Sequence, residues 1–418
     1  MENNPRKLLI LTADAGFGHR TAANAVAAAL EDLYGEKCQI KIVNPLEDRR
    51  TPFFLRDSQS DYDKIVRNMP ELYRFGYDAS DALLPSAIVE SALTVLLYEV
   101  IHDIIRDFNP DGVLTTYPLY QAPLSAVLTI MGKPVPILVV VTDLVTVHRL
   151  WFNNHVDACL VPTEAVHKLA LSYNIPEERI VITGIPVNPA FVNERRQPAE
   201  LRTALGWRTD LTTLLAVGSR RVENLLPALN VVNHFGIPLQ LVVVAGRDRE
   251  LYEQLQQVEW HIEHRLYEYT ENIPAMMKAS DAVICKAGGL ITTESLAAGL
   301  PMLFISAIPG QETGNAEHVI QNGAGDMALE PMEVLETLSH WMMDDQKLLH
   351  RRAENACLLG KPQAAFMAAK LLWNASEPNS NRRTANAMER SGVIGLLSRF
   401  HIRWQDNLLQ PGKKEIQK

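Results

Sequence analysis

Short apolar runs rich in leucine and β-branched residues alternate with helical patterns along most of the chain. Six runs lie in the first half: KLLILTA, CQIKIV, DGVLTT, VPILVVVT, DACLVP and RIVITG. Four more follow in the second half: TTLLAVG, LQLVVVAG, DAVICK and PMLFIS. Strands of this kind between helices are typical of a parallel sheet that is covered on both faces. The sequence therefore predicts an α/β fold with doubly wound, Rossmann-like sheets.

The alternation stops between residues 184 and 210, where proline, arginine and other polar residues take over. A chain of 418 residues is too long for one core of ordinary size, so this break predicts a linker. We expect one domain over residues 1–184 and a second over residues 185–373, facing each other across a cleft. Residues 374–418 begin as a polar linker and end as an amphipathic basic segment.

Charge and cysteine spacing argue against several classes of protein. A net charge of −9 disfavours nucleic acid as the main partner, because phosphate binding requires a basic surface. The four cysteines lie far apart without CxxC spacing, which is typical of reduced thiols rather than of disulfides or a zinc site. Neither a signal peptide nor an uncharged run of membrane-spanning length is evident. We therefore expect a cytoplasmic protein that can still lie on a membrane.

The stretch DAGFGHRTAANAV joins the first predicted strand to an Ala-rich helical pattern. Gly16 and Gly18 flank Phe17 at this turn, and His19 follows. A Gly-x-Gly turn alone is a weak match to a dinucleotide-binding fingerprint, in which an acidic residue ends the second strand. Here the second strand ends at Asn44, which disfavours a nicotinamide or flavin site. The histidine either caps the helix or carries chemistry.

The strongest signal is the turn after the run DAVIC in the second half. Lys286 ends this run, and Gly288, Gly289 and Leu290 open the next helical pattern. Free backbone N–H groups and the positive end of the helix dipole favour an anion at such a turn. The pattern predicts a diphosphate site, although a tight turn without a ligand has the same sequence.

Polar residues near this turn have the chemistry to bind a sugar nucleotide. Glu294 lies one turn into the helix, where its carboxylate can accept hydrogen bonds from a ribose diol. The loop after PMLFIS carries Gln311, Glu312 and Asn315, whose donors and acceptors suit sugar hydroxyls. The alternative for Glu294 is a solvated helix face. Together these residues predict a donor site in the second domain.

Four motifs occur in an order that resembles a known enzyme family. They are GFGHR, VVVTDLVTVHRLWF, ITGIPVNPAF and KAGGLITTESLAAGLP with PGQETGN. Together they are similar to the monogalactosyldiacylglycerol synthase and processive diacylglycerol glucosyltransferase family, which is related to MurG-type transferases. The resemblance spans about residues 8–325 and implies a GT-B fold with an N-terminal acceptor domain. It also implies inverting, metal-independent transfer of galactose or glucose from a UDP-sugar to diacylglycerol, without a cofactor.

The resemblance implies a role for each motif residue. His19 matches the proposed catalytic base, which as a neutral imidazole can take the acceptor's proton near pH 7. Glu294 matches the glutamate that holds the nucleotide ribose. Gln311 and Glu312 match the pair that contacts the donor hexose. Gly288 and Gly289 match the loop that holds the diphosphate. Asp143 follows the run PILVVVT, where it either orients the base or acceptor or serves as an ordinary turn residue or cap.

The chain departs from the family pattern at two places. Phe17 stands where many members have glycine, and Gly16, Phe17 and Gly18 together are predicted to line the acceptor entrance. The glycine-rich loop after the first strand of the second domain is replaced by Gly218, Ser219, Arg220 and Arg221. The arginine pair can compensate by binding phosphate directly, or it is an ordinary surface feature.

A lipid acceptor requires contact with a membrane. Residues 83–105 form an apolar stretch that suits either a membrane-facing groove or a buried helix. Residues 374–418 carry eight basic and four acidic side chains, which suits an anionic surface or a solvated helix face. The expected partners are UDP-galactose or UDP-glucose, diacylglycerol and anionic lipids, at the inner face of the cytoplasmic membrane.

Three rival interpretations stay open at this point. Asp61 and Asp63 have the DxD spacing of metal-dependent transferases, but the polar stretch around them has no strand before it. A UDP-N-acetylhexosamine epimerase would share the architecture, although His19 and the GQETGN loop favour transfer. A non-catalytic sugar-nucleotide-binding protein would explain the altered GSRR loop.

Overall fold

A computed structural model describes residues 4–14, 17–56, 86–219, 222, 224–308 and 312–377, with the backbone alone at residues 17 and 86–89. Within these ranges the strands form two six-stranded sheets. Every strand pair in both sheets is parallel. The predicted α/β architecture with two doubly wound sheets is confirmed.

The first sheet has the strand order β2-β1-β3-β4-β5-β6. Its strands are β1 (Arg6–Leu11), β2 (Cys38–Val43), β3 (Gly112–Thr115), β4 (Ile137–Val140), β5 (Ala158–Val161) and β6 (Ile180–Ile182). The helices between them are α1 (Phe17–Tyr34), α2 (Ser86–Phe108), α3 (Gln121–Ile130) and α4 (Glu164–Ser172). The register places Leu8 opposite both Ile40 and Gly112.

The second sheet has the strand order β12-β11-β10-β7-β8-β9. Its strands are β7 (Thr212–Val217), β8 (Leu239–Val244), β9 (Glu263–Tyr267), β10 (Ala282–Lys286), β11 (Met302–Ser306) and β12 (Gly325–Met327). The helices are α5 (Ala190–Asn193), α6 (Pro198–Leu205), α7 (Leu225–Asn233), α8 (Arg249–Gln256), α9 (Ile273–Lys278), α10 (Gly289–Ala298), α11 (Thr313–Gln321), α12 (Pro331–Met342), α13 (Lys347–Leu359) and α14 (Ala364–Ala375). Short 3-10 turns lie at Gly35–Lys37, Pro45–Glu47, Pro118–Tyr120, Arg149–Trp151, Glu177–Arg179 and Asp344–Gln346.

The apolar runs missed two strands, β9 and β12, which are the edges of the second sheet. The sequence of β9 is EHRLY, and all five of its residues are partly exposed. The sequence of β12 is GDM, only three residues long. An edge strand pairs on one side alone, so it can form without the continuous apolar run that marks a central strand.

The central strands are buried on both faces because helices cover each side of the sheet. In β1, Leu9 and Leu11 belong to one core cluster, whereas Leu8 and Ile10 belong to another on the opposite face. All four side chains are fully buried. Burial of each such side chain stabilises the fold by about 1.5–3 kcal/mol. This alternation fixes the strand register and thereby the places where the connecting loops leave the sheet.

The last described helix, α14, returns to the first sheet. Its residue Leu372 packs in the same cluster as Leu8 and Ile10. The Arg6 guanidinium lies 3.8 Å from the centre of the Trp373 ring, and that ring stacks on Tyr34 at 4.0 Å. The chain therefore crosses back from the second sheet to the first. The domain limits at residues 184 and 373 stay a prediction.

Helix α2 contains most of the apolar stretch 83–105. Leu97, Ile101 and Ile105 are fully buried in the core, while Val95 is 55% exposed. Within the described ranges, none of the helices is long and apolar enough to cross a membrane. The DxD sequence at residues 61–63 and the basic segment beyond residue 377 lie outside the described residues.

Candidate active site

The predicted site residues follow the carboxyl ends of strands in both sheets. Helix α1 follows β1, the β4 loop (residues 142–148) follows β4, and helices α10 and α11 follow β10 and β11. In parallel α/β sheets, ligands bind at this edge, where connections diverge to opposite faces. The topology thus brings four separate motifs of the sequence to one cleft.

His19 lies in the first turn of α1, with its ring against aromatic side chains. Its Nδ1 is 2.7 Å from the Thr142 hydroxyl oxygen. The Tyr117 ring packs edge-on against the imidazole at 5.0 Å, and the Trp151 ring lies 5.9 Å away. Burial lowers the pKa of His19 to about 4, while a hydrogen bond with the Thr116 backbone opposes this shift. The imidazole is therefore neutral at pH 7.

Asp143 was predicted to orient the base or the acceptor, but its hydrogen-bond partner is Trp151. Its Oδ2 accepts a hydrogen bond of 2.6 Å from the Trp151 indole N–H. Burial raises the pKa of Asp143 to about 6, and this hydrogen bond limits the increase. The group that orients the His19 ring is Thr142, one residue earlier. This role was not predictable from the sequence, because a threonine at a strand end is also an ordinary strand residue.

The turn before α10, where the sequence predicts a diphosphate site, is built on Gly288. Gly288 is the N-terminal cap of the helix, with φ −71° and ψ 145°, and no side chain caps the first amides. A Cβ atom at Gly288 would lie 3.0 Å from Lys286 Nζ and 3.4 Å from Glu312 Oε1. Glycine here leaves room for both charged groups, with Gly289 and Leu290 opening the helix beside them.

Lys286 and Glu312 form a largely buried ion pair that joins the turn before α10 to the start of α11. The Lys286 ammonium donates to Glu312 Oε1, and the Ile308 backbone N–H donates to Glu312 Oε2 at 3.0 Å. Glu312 is 5% exposed. The Asn315 side-chain amide donates to the Ala287 carbonyl at 3.0 Å. These bonds hold the start of α11 against the turn that precedes α10.

Glu294 is a partly buried carboxylate on α10. Burial raises its pKa to about 7. Among the described residues, no side chain or backbone amide donates a hydrogen bond to it. An acceptor in this state gains most from a ligand that brings its own hydroxyl donors.

A small pocket lies between the two sheets. From the first half it is lined by Asp143, Leu144 and Thr146, and from the second half by Gly289, Glu312 and Asn315. The structure therefore brings the predicted residue Asp143 together with three predicted donor-binding residues. His19 is tied to the same loop through Thr142.

Several predicted site residues do not line the pocket or lie outside the described ranges. Gly16, Arg220, Arg221 and Gln311 lie outside it, and Phe17 is described by its backbone alone. A Cβ atom at Gly18 would meet none of the described residues within 4 Å. A Cβ atom at Gly218 would lie 2.7 Å from Leu251 Cδ2 and 2.8 Å from Leu225 Cδ2, so this glycine serves close packing.

A polar network beside His19 escaped the sequence analysis. Arg20 donates two hydrogen bonds of 2.8 Å to Asp14, and this interaction lowers the pKa of Asp14 to about 2. The Asn44 amide donates to Asp14 Oδ2 at 3.2 Å, and the Tyr120 hydroxyl donates to Asn44 Oδ1 at 3.1 Å. Because Arg20 follows His19 directly in α1, the network anchors the turn that carries the histidine.

The described ranges contain no cluster of three or more His, Cys, Asp or Glu side chains that could hold a metal ion. The pocket is lined by the carboxylates of Asp143 and Glu312, the Asn315 amide, the side chains of Thr146 and Leu144, and Gly289 at the start of α10. Metal independence stays a prediction, because the DxD sequence lies outside the described residues.

Two family models match the chain in succession. The model for monogalactosyldiacylglycerol (MGDG) synthase matches residues 19–187, and the C-terminal domain of glycosyltransferase family 28 matches residues 213–367. The chain is 30% identical over 376 residues to the MGDG synthase of Spinacia oleracea, covering 87% of this chain and 71% of the relative. It is 29% identical over 377 residues to MGDG synthase 1 of Arabidopsis thaliana, covering 87% and 70%.

Solved structures of related shape establish the GT-B fold. Acinetobacter baumannii MurG matches with a TM-score of 0.57 and 15% identity, over 88% of this chain and 100% of that one. The UDP-GlcNAc 2-epimerase of Neisseria meningitidis matches with a TM-score of 0.54 and 17% identity, over 88% and 100%. At such identities the likeness concerns the fold alone.

The expected location at the inner face of the cytoplasmic membrane is wrong. Both plant relatives are chloroplastic proteins. The expectation rested on four separated thiols and on the lack of a spanning run. Those features indicate reducing conditions, which do not identify one compartment.

Proposed function

The chain belongs to the MGDG synthase family, and from that premise we propose that it transfers galactose from UDP-galactose to diacylglycerol with inversion. The pocket between the sheets carries this proposal. One of its walls is the β4 loop, to which His19 is bonded through Thr142, and the other includes the N-terminus of α10, which suits an anion. The relatives are named for a galactolipid, which favours galactose over glucose as the donor sugar.

On the donor side, the free amides at the start of α10 hold the diphosphate. They carry a partial positive charge that persists as UDP departs and gathers negative charge. Lys286 adds a full charge beside them, restrained by Glu312. Glu294 accepts hydrogen bonds from the ribose hydroxyls, and such bonds favour its ionised form over the protonated form that burial favours.

On the acceptor side, His19 removes the proton from the attacking hydroxyl of diacylglycerol. We assign the ring proton to Nδ1, which donates to the Thr142 hydroxyl, so that Nε2 keeps the lone pair. The hydroxyl oxygen bonds to the anomeric carbon as the bond from that carbon to UDP breaks. The proton moves to Nε2, and the two electrons of the broken bond leave with UDP.

Electrostatics link the two sides of this reaction. In the free protein, burial lowers the pKa of His19 to about 4, which makes the ring a weak base. The negative charge of a bound sugar nucleotide raises that pKa, because it favours the imidazolium form. Asp143, whose pKa is raised by burial to about 6, is ionised at pH 7 and can hold the acceptor hydroxyl.

The proposal is tested by product identity. Purified protein is incubated with diacylglycerol vesicles and either UDP-galactose or UDP-glucose, and the lipids are examined by mass spectrometry while UDP is measured. We expect galactosyl-diacylglycerol from UDP-galactose and an equal amount of UDP. A converted sugar nucleotide without UDP release would instead indicate an epimerase. Binding of UDP without any turnover would indicate a non-catalytic protein.

A further inference from the structure

The N-terminus of α11 touches the β4 loop at a position where a side chain has no room. Gly314 is the second residue of α11. A Cβ atom there would lie 2.5 Å from the Thr146 hydroxyl oxygen and 3.5 Å from both Cβ and Cγ1 of Val145. Real Cβ atoms essentially never approach a neighbour as closely as 2.5 Å. A side chain at Gly314 therefore fits only if the Thr146 hydroxyl moves.

The backbone conformation of Gly314 does not by itself require glycine. Gly314 is not among the residues with positive φ. In a helix, alanine is favoured over glycine by about 0.5–1 kcal/mol. The reason for glycine here is therefore the close approach to the β4 loop.

The β4 loop extends from this contact to the proposed base. At its other end, the Thr142 hydroxyl bonds to His19 Nδ1 at 2.7 Å. The Thr142 carbonyl oxygen lies 3.7 Å from the Cβ position of Gly289, in ordinary contact with the start of α10. Residues 142–146 thus extend from the histidine and α10, which Thr142 contacts, to α11, which Val145 and Thr146 approach.

Helix α11 is in turn tied to the diphosphate turn. Glu312 precedes the helix and pairs with Lys286, and Asn315 bonds to the Ala287 carbonyl. A shift of α11 relative to the β4 loop therefore displaces the donor groups relative to His19. Displacements of about 1 Å at a reacting centre can cost a hundredfold in rate.

We propose that Gly314 and Thr146 form a positioning contact that sets the distance between the donor sugar and the base. This inference rests on the proposed function and extends it to a pair of residues that need not touch either substrate. A side chain at Gly314 pushes the Thr146 hydroxyl away and widens the cleft. The donor still binds to its own half of the cleft, but the anomeric carbon lies too far from the attacking hydroxyl.

The test is a set of variants at this contact. Gly314→Ala is expected to lower kcat at least about tenfold, with the Kd for UDP within about threefold of wild type, because the donor half keeps its geometry. Its thermal midpoint is expected to stay within a few degrees of the wild-type value, since alanine's helix preference offsets part of the cost of displacing the Thr146 hydroxyl. Glu317→Ala, on an exposed position of the same helix, serves as the matched control and should retain wild-type kcat.

Two double variants decide whether the Thr146 hydroxyl is the cause. Gly314→Ala with Thr146→Ala removes the obstructing oxygen and is expected to recover kcat to that of Thr146→Ala alone. Gly314→Ala with Thr146→Ser keeps the oxygen and should stay impaired. Equal kcat in Gly314→Ala and wild type, or equal recovery in both double variants, would overturn the inference. Absence of galactolipid with wild-type protein would instead refute the proposed function.

Discussion

The two walls of the cleft differ in how they treat charge. On the wall formed by the first sheet, His19 is packed against Tyr117 and Trp151 and kept neutral by burial. On the wall formed by the second sheet, Lys286 and Glu312 form an ion pair beside a helix N-terminus. Burial also favours the neutral form of Glu294 on this second wall. A neutral histidine suits the proton removal proposed for the first wall. An ion pair beside a helix N-terminus suits the anion binding proposed for the second.

Desolvation acts on both walls, but it shifts the pKa values of their ionisable side chains in opposite directions. Desolvation disfavours charge, so it lowers the pKa of a histidine and raises the pKa of a glutamate. A charged group remains on the donor wall only where a partner and backbone N–H groups compensate, as they do for Glu312. Substitutions on one wall, measured for activity, UDP affinity or stability, show whether the other wall is affected.

The largest effect is expected from His19→Ala. Loss of the general base lowers kcat by about a hundredfold to ten-thousandfold, because the acceptor hydroxyl then keeps its proton. The Kd for UDP, measured by calorimetry, should stay near the wild-type value since the donor wall is intact. Retention of more than half of the wild-type kcat would exclude His19 as the base.

Removing Glu312 is expected to damage the donor wall and the fold together. Glu312→Ala leaves Lys286 buried without its partner, which lowers the free energy of unfolding by about 3 kcal/mol. Chemical denaturation measures this change, and UDP affinity should weaken in the same variant. Glu317→Ala removes an exposed glutamate from the same helix and should change stability by less than about 0.5 kcal/mol. Equal effects of the two substitutions would contradict the assigned role of the ion pair.

Thr142→Val is expected to have a smaller effect, confined to the acceptor wall. The substitution removes the oxygen that accepts from His19 Nδ1 and lowers kcat about tenfold, because the imidazolium loses a stabilising hydrogen bond. The acid limb of the pH profile of kcat/KM should move to lower pH for the same reason. Thr142→Ser keeps the oxygen and should restore both values. Failure of serine to restore the profile would show that the threonine acts through packing.

The pH dependence of stability should have opposite signs on the two walls. Folding lowers the pKa of His19 from 6.5 to about 4, so this group makes stability rise with pH across that interval. Folding raises the pKa of Glu294 from 4.5 to about 7, so this group makes stability fall as pH rises across its own interval. Relative to wild type, His19→Gln should therefore be more stable at pH 4.5 than at pH 7.5, and Glu294→Gln the reverse. Denaturation midpoints at both values check the signs.

No effect is expected from removal of divalent metal. A chelator should leave the initial rate of galactolipid formation unchanged, because the donor wall supplies its positive charge from backbone amides and Lys286. Loss of activity that added Mg²⁺ or Mn²⁺ restores would contradict a metal-independent donor site and would direct attention to Asp61 and Asp63.

The sequence predicted the central strands of both sheets and the glycine turn before α10, because central strands and glycine turns have strong local signatures. The turn of Gly288 and Gly289 is an example, since its position between a strand and a helix follows from the pattern. The partners of the site residues were not predictable in the same way. Thr142 reaches His19 across 123 positions of sequence, and nothing local marks that contact. The path of α14 back to the first sheet likewise depends on packing between distant residues.

The anomeric configuration of the product tests the central claim most directly. In a single displacement, the acceptor oxygen attacks opposite to the departing UDP, so an α-linked donor gives a β-linked galactolipid. Proton NMR of the purified lipid product measures the coupling constant of the anomeric proton, which differs between the two anomers. We expect the β-anomer alone. An α-linked product would contradict a cleft in which His19 activates the acceptor for direct attack.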